Sequence, residues 1–159
     1  MSEFTHNPDY TNGRGSGLSV VRIIRIMLLS DIPPYQSEIN MSSFTKKVTP
    51  YIRKEFHLAV QCKKQGNMKQ EFRHLENAHV LGQSSTYWHT LTHAKMLIWA
   101  IQNKSTREFF GQILRIVGAA TKTAIGLVPE GNTGGSNISP FKQLPVPAEF
   151  QRIIAGSKK

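Results

Sequence analysis

Residues 71–96 read EFRHLENAHVLGQSSTYWHTLTHAKM, and the fold turns on this stretch. Apolar residues and histidines recur at intervals of three and four on both sides of the break at Gly82-Gln83-Ser84-Ser85. That is the period of amphipathic helices, not of strands. Gly82 stands where helices commonly stop. The pattern predicts helices over about residues 68–81 and 86–102, and the connection between them is short enough to make them antiparallel neighbours.

The flanking sequence extends this reading. Upstream, residues 49–65 are helical in pattern, with Pro50 suited to a first turn and Gly66-Asn67 as a break. Downstream, Ser105-Thr106-Arg107-Glu108 has the form of a capping box, in which the Ser105 hydroxyl and the Glu108 carboxylate satisfy each other's backbone N–H groups. The helix it opens runs to about Gly126, with Pro129 beyond. Residues 66–82 and 103–119 echo one another about 37 positions apart, near the period of a tetratricopeptide hairpin. The expected fold is all-α: four main helices as two antiparallel hairpins with tetratricopeptide-like geometry. A Pro/Gly-rich C-terminal strap packs back across them through Phe141, Leu144, Val146 and Phe150. Backbone N–H groups around Gly131 to Gly135 offer a lesser option, an anion nest.

Composition narrows the classes. The chain of 159 residues suits one domain, and its formal charge is +10. The bases are spread along it without interleaved aromatics, so the charge points to an acidic protein or peptide partner rather than to specific nucleic-acid binding. The longest apolar run, residues 18–29, carries Arg22 and Arg25 and falls short of the roughly 18 residues of a membrane span. Cys62 is alone, which excludes an internal disulfide framework. A cytoplasmic, bacterial-type protein fits these features. Residues 1–40 differ in texture from the rest, and Met41-Ser-Ser-Phe-Thr-Lys-Lys has the character of a start. The expected division is an extension over 1–40, a helical domain over 41–128, and a strap and tail over 129–159.

Four of the six histidines, His74, His79, His89 and His93, fall in the opening stretch. On a helical wheel of about 100° per residue, Glu71 sits near the middle of the apolar arc of its helix, with His74 and His79 on the two flanks. Glu76 falls on the polar side. His89 and His93 share an apolar face, and their helix reads as central and mostly buried. In an antiparallel hairpin, residues whose numbers sum to a constant stand at one level, which matches His79 with His89 and His74 with His93. A carboxylate in an apolar stripe needs a partner. Glu71-x-x-His74 has the spacing by which a carboxylate and an imidazole project together in metal bundles, and His89-x-x-x-His93 places two imidazoles on one face. The best constellation is therefore Glu71, His74, His89 and His93, with His79 a weaker member, and zinc, iron or copper as the ion. A di-iron centre would need more acids than Glu55 and Glu108 supply, and no nucleophile stands beside a base.

The stretches FRHLENAHVLGQ (72–83), HTLTHAKMLIWA (89–100) and GQILRIVGAATKTAIGLVPEGNTGGSNISPF (111–141) resemble a bacterial family of small helical proteins known only as a domain of unknown function. The resemblance spans about residues 41–154. It implies a helical cytoplasmic protein in which His74, His79, His89 and His93 belong to the family pattern, and it implies no activity. The expected function is a non-enzymatic binding protein with a buried His/Glu site, most concretely a transition-metal site for handling or sensing. The rivals are a tetratricopeptide-like adaptor whose histidines are structural and, third, a metal- or His-dependent enzyme.

Overall fold

The computed structural model describes residues 41–122 and 129–159, apart from the side chains of 120–122. Five helices and no strand occur among them: α1 (Ser43–Lys64), α2 (Met68–Gly82), α3 (Thr86–Gln102), α4 (Thr106–Lys122) and α5 (Ala148–Lys158). The expected extension over 1–40 lies outside the described residues, as does the passage 123–128. No described helix is long and apolar enough to cross a membrane.

Helix α1 starts six residues before its expected first residue. Ser42 caps it by accepting the Thr45 N–H at 3.2 Å, and Val48, Ile52, Phe56 and Ala59 bury a stripe at three- and four-residue spacing. Pro50 therefore sits inside the helix instead of in its first turn. It faces solvent, so the carbonyl that loses its helical partner can be hydrated, and the buried stripe outweighs the local penalty.

Helix α1 packs on α2, α2 on α3 and α3 on α4, while α5 lies across α1 and α2. The core between them is built from Val48, Ile52, Phe56, Leu75, Leu81, Trp88, Leu91 and Met96. Side chains of this size contribute about 1.5–3 kcal/mol each on full burial. Trp88 is completely enclosed, its ring tilted against Phe56 at 6.0 Å between centroids. Its indole N–H donates to the Thr49 hydroxyl at 2.9 Å, which in turn donates to the Thr45 carbonyl at 2.7 Å. The α2–α3 turn brings Gly82 so close to Trp88 that an added Cβ would stand 2.9 Å from the Trp88 Cβ.

Two expectations are corrected. The capping box at the start of α4 does not close: the Ser105 N–H donates to the Ala100 carbonyl, and the Glu108 carboxylate accepts instead from the Ser136 N–H and hydroxyl and from Gln112. The end of the chain is not an extended strap throughout, because residues 148–158 form a fifth helix. Pro147 presets its N-terminus, and Phe150, Ile153 and Ile154 turn one apolar face to the core. Phe141, expected to pack, is largely exposed.

The segment 129–147 between α4 and α5 is held by side chains. Asn132 donates from Nδ2 to the carbonyls of Ser139 and Lys142, and its Oδ1 accepts the Gly134 N–H. Gly131 adopts φ +73°, and an added Cβ would fall 1.9 Å from the Leu144 carbonyl oxygen, so only glycine fits there.

Thr49→Val keeps the shape at the Trp88 contact and removes the acceptor. A loss of about 1–3 kcal/mol is expected, because an indole N–H is left buried and unpaired. Urea unfolding followed by tryptophan fluorescence checks it, and an unchanged midpoint would refute this account of the core.

Candidate metal centre

His79 stands on the last turn of α2, and His89 and His93 stand one turn apart on α3. All three are buried. Their rings meet with centroids 4.5–4.9 Å apart. The Nε2 atom of His93 lies 3.1 Å from that of His79 and 3.2 Å from that of His89. One nitrogen from each imidazole falls within 4.8 Å of the others, and this is the one cluster of three or more metal-ligating side chains found among the described residues.

The outer nitrogens decide the protonation of two rings. His79 Nδ1 is 2.8 Å from the Asn132 carbonyl oxygen, which can only accept, so Nδ1 carries the hydrogen. His93 Nδ1 is 2.7 Å from Gln112 Oε1. The orientation of that amide is forced, since Gln112 Nε2 donates to Glu108 Oε1 at 2.6 Å and to the Gly134 carbonyl at 2.8 Å. His93 Nδ1 therefore donates as well. In both neutral rings the inner Nε2 is a bare lone pair, and the 3.1 Å approach of His79 to His93 places two acceptors face to face.

A proton between them would relieve the contact, but the site opposes protonation. Burial is the largest cause of the lowered pKa in all three rings. His79 and His93 are pushed well below the usual histidine value, His79 by burial and then by the positive charge its two neighbours would carry. His89 is lowered to about 4, by burial and then by Arg115.

The covering chain is shaped to the cluster. Gln83, just past α2, donates to the Pro129 and Asn132 carbonyls and accepts the Gly131 N–H. An added Cβ on Gly134 would stand 2.7 Å from the His79 ring, so the backbone there lies directly on the imidazole. Arg115 donates to the carbonyls of Gly135 and Ile138. Thr133 donates to Glu76 at 2.9 Å, so Glu76, read as a solvated charge, also anchors this segment. The nest expected at Gly131 to Gly135 is occupied by the protein itself: the N–H groups of Gly131 and Gly134 are both taken by side-chain oxygens.

Of the residues singled out by spacing, His89, His93 and His79 come together, and Glu71 and His74 do not join them. His74 faces α1 and pairs with Glu55 at 2.8 Å, where Asn77 also donates at 3.1 Å. Glu71 sits in the first turn of α2, two turns or about 12 Å along the helix from His79. Burial raises its pKa and the nearby Lys63 opposes the rise. The reason is topological. Helix α2 lies between α1 and α3, so its two flanks face different neighbours. Sequence reasoning also missed Gln112, Glu108 and Arg115. Their signal was a polar line at spacings of four and three on a helix otherwise rich in Phe, Ile, Leu and Val.

Residues 46–154 match the family DUF3703, described as a protein of unknown function, and the chain belongs to that family. No curated protein and no solved structure matches it.

The lowered histidines make metal-free stability depend on pH. A native pKa below the unfolded value means that the unfolded chain takes up protons first, so stability is full above about pH 6.5 and falls as pH drops toward 4. His89 alone, lowered from 6.5 to about 4, accounts for about 3 kcal/mol over that range. Unfolding in the presence of EDTA at pH 7.5, 6 and 4.5 should show the decline. Burial of Glu71 and Glu76 gives the opposite slope, so the decline is read against His89→Gln, and no difference between the two profiles would mean that the His89 ring is not held neutral.

Proposed function

We propose that the protein binds one transition-metal ion through the Nε2 atoms of His79, His89 and His93. The observation that carries this reading is the pair of inward lone pairs at 3.1 Å, each fixed by an outer hydrogen bond, in a site whose burial opposes protonation. A cation resolves what neutral imidazoles cannot. Ligands bonded at about 2.0–2.1 Å in a tetrahedral arrangement stand about 3.3 Å from one another, close to the 3.1 and 3.2 Å separations here. The outer bonds from Nδ1 to a carbonyl and to an amide tied to a carboxylate are the support that metal-bound histidines receive in general. Imidazole donors suit zinc, copper and iron, and a non-enzymatic role in handling or sensing such an ion is the simplest function for the site.

A second reading, an adaptor built on helical hairpins of tetratricopeptide-like geometry, draws support from α4. Phe110, Leu114 and Val117 lie exposed along one face of that helix. An acidic partner would suit the net charge of +10.

Elemental analysis of untagged protein tests the first reading. About one equivalent of metal per chain is expected, lost in His93→Ala and retained in His74→Ala, which should instead lower stability through its pairing with Glu55. Gln112→Leu should keep the three ligands but weaken binding roughly 10–100-fold, as loss of an outer hydrogen bond does elsewhere. Metal-free parent protein that also fails to take up zinc, copper or iron would leave the adaptor reading standing.

A further inference from the structure

We infer that the metal ion keeps a coordination position open to a small carboxylate ligand, whose second oxygen is met by Arg115. This rests on the metal reading above and adds the chemistry of what the bound ion would take.

Three observations lead to it. The first is ligand number. Closed structural zinc sites use four protein ligands, whereas sites with three leave a position for an exogenous group. Here the described residues supply three histidines and no fourth His, Cys or carboxylate.

The second is space. His79, His89 and His93 together line a cavity of about 130 Å³. Among the described residues its remaining wall is mostly apolar, with Leu114, Ala119, Pro129 and Pro140, and its polar members are Gln83, Asn132 and Arg115. An apolar cavity of about 150 Å³ admits benzene, so a ligand of a few carbon atoms has room. Leu114 is mostly exposed and stands at the rim.

The third is charge. Three neutral imidazoles leave the charge of a divalent ion undiminished, and half-buried Arg115 adds another positive charge beside it. Glu108 offsets part of the Arg115 charge, but its oxygens are held by Gln112 and Ser136, so the charge of the divalent ion itself is left without an acid on it. Unbalanced charge among buried imidazoles is costly. An anion between the ion and the guanidinium balances it, and a carboxylate suits both: one oxygen binds the ion, and the other accepts from the guanidinium nitrogens that are not given to the Gly135 and Ile138 carbonyls. Apolar walls then favour a short aliphatic tail over a bare inorganic anion.

Cobalt(II) in place of the native ion gives a visible spectrum that reports its ligands. Parent protein loaded with cobalt is titrated with butyrate and, separately, with azide, beside Arg115→Gln and Arg115→Lys. Saturable band shifts with butyrate, at lower concentration than with azide, are expected. Arg115→Gln should weaken butyrate by roughly tenfold or more while keeping one cobalt per chain, and Arg115→Lys, which retains the charge, should lie between it and the parent. Cobalt bands that ignore butyrate would overturn the open position, and equal affinity in Arg115→Gln would overturn the role of the guanidinium. Azide binding more tightly than butyrate would overturn the carboxylate. Failure to take up cobalt at all would remove the metal reading itself, and is told apart from the others by stoichiometry.

Discussion

The constraint on which the site depends is the fixing of imidazole tautomers from outside. Asn132 and Gln112 present acceptors to Nδ1 of His79 and His93, and from that moment the inner nitrogens can only be lone pairs. Neither acceptor acts alone. The Gln112 amide is oriented by Glu108 and by the Gly134 carbonyl, and the Asn132 carbonyl also accepts from Gln83. Residues from the end of α2, from α4 and from the segment 129–147 thus converge on a geometry that the metal-free cluster by itself disfavours. Such strain is tolerated only where the surroundings over-determine it, and this network supplies that condition.

The same network explains why an irregular Gly/Asn/Ser segment can cover a buried centre. A loop over a core must satisfy its own backbone groups. Here side chains do so: Gln83 for Gly131, Asn132 for Gly134 and Glu108 for Ser136. Glycine at 134 lets the backbone lie flat on the His79 ring. Polar side chains just past α2, on α4 and in the segment itself therefore act as rivets for chain that has no regular structure, and two of the residues joined to them, Asn132 and Gln112, also take the outer hydrogens of His79 and His93.

Much of the fold was legible in the sequence, because helix period and short breaks are local signals. Helices α2 and α3 fall within a residue of their expected bounds. Where reading failed, a longer-range contact overrode a local rule. Pro50 looked like a start until Ser42 and the buried stripe of α1 carried the helix past it. Glu108 looked like half of a capping box until Ser136 claimed its carboxylate. Helix α5 was hidden by the prolines before it. For the cluster of imidazoles, spacing alone set His89 and His93 on one face, and level matching put His79 beside His89, as the structure has them. It could not tell which flank of α2 meets α3, so His74 was given the place that His79 occupies. No wheel drawn on one helix contains that choice, which is set by α1 packing on one side of α2 and α3 on the other.

Neutral imidazoles that converge by their lone pairs oppose the fold, and under the proposal that they hold a cation, its binding and the seating of residues 129–147 would be linked equilibria. The linkage runs through His79, which touches the segment by its Nδ1 bond to Asn132 and by the Gly134 backbone on its ring, and touches the other ligands by Nε2. His74 and Glu55 make no such bridge. They join α1 to α2 on the far flank and hold the frame against which the centre is assembled. Two histidines five positions apart on one helix thus divide the work, one fixing the bundle and the other coupling the bundle to its cover and to the two imidazoles of α3.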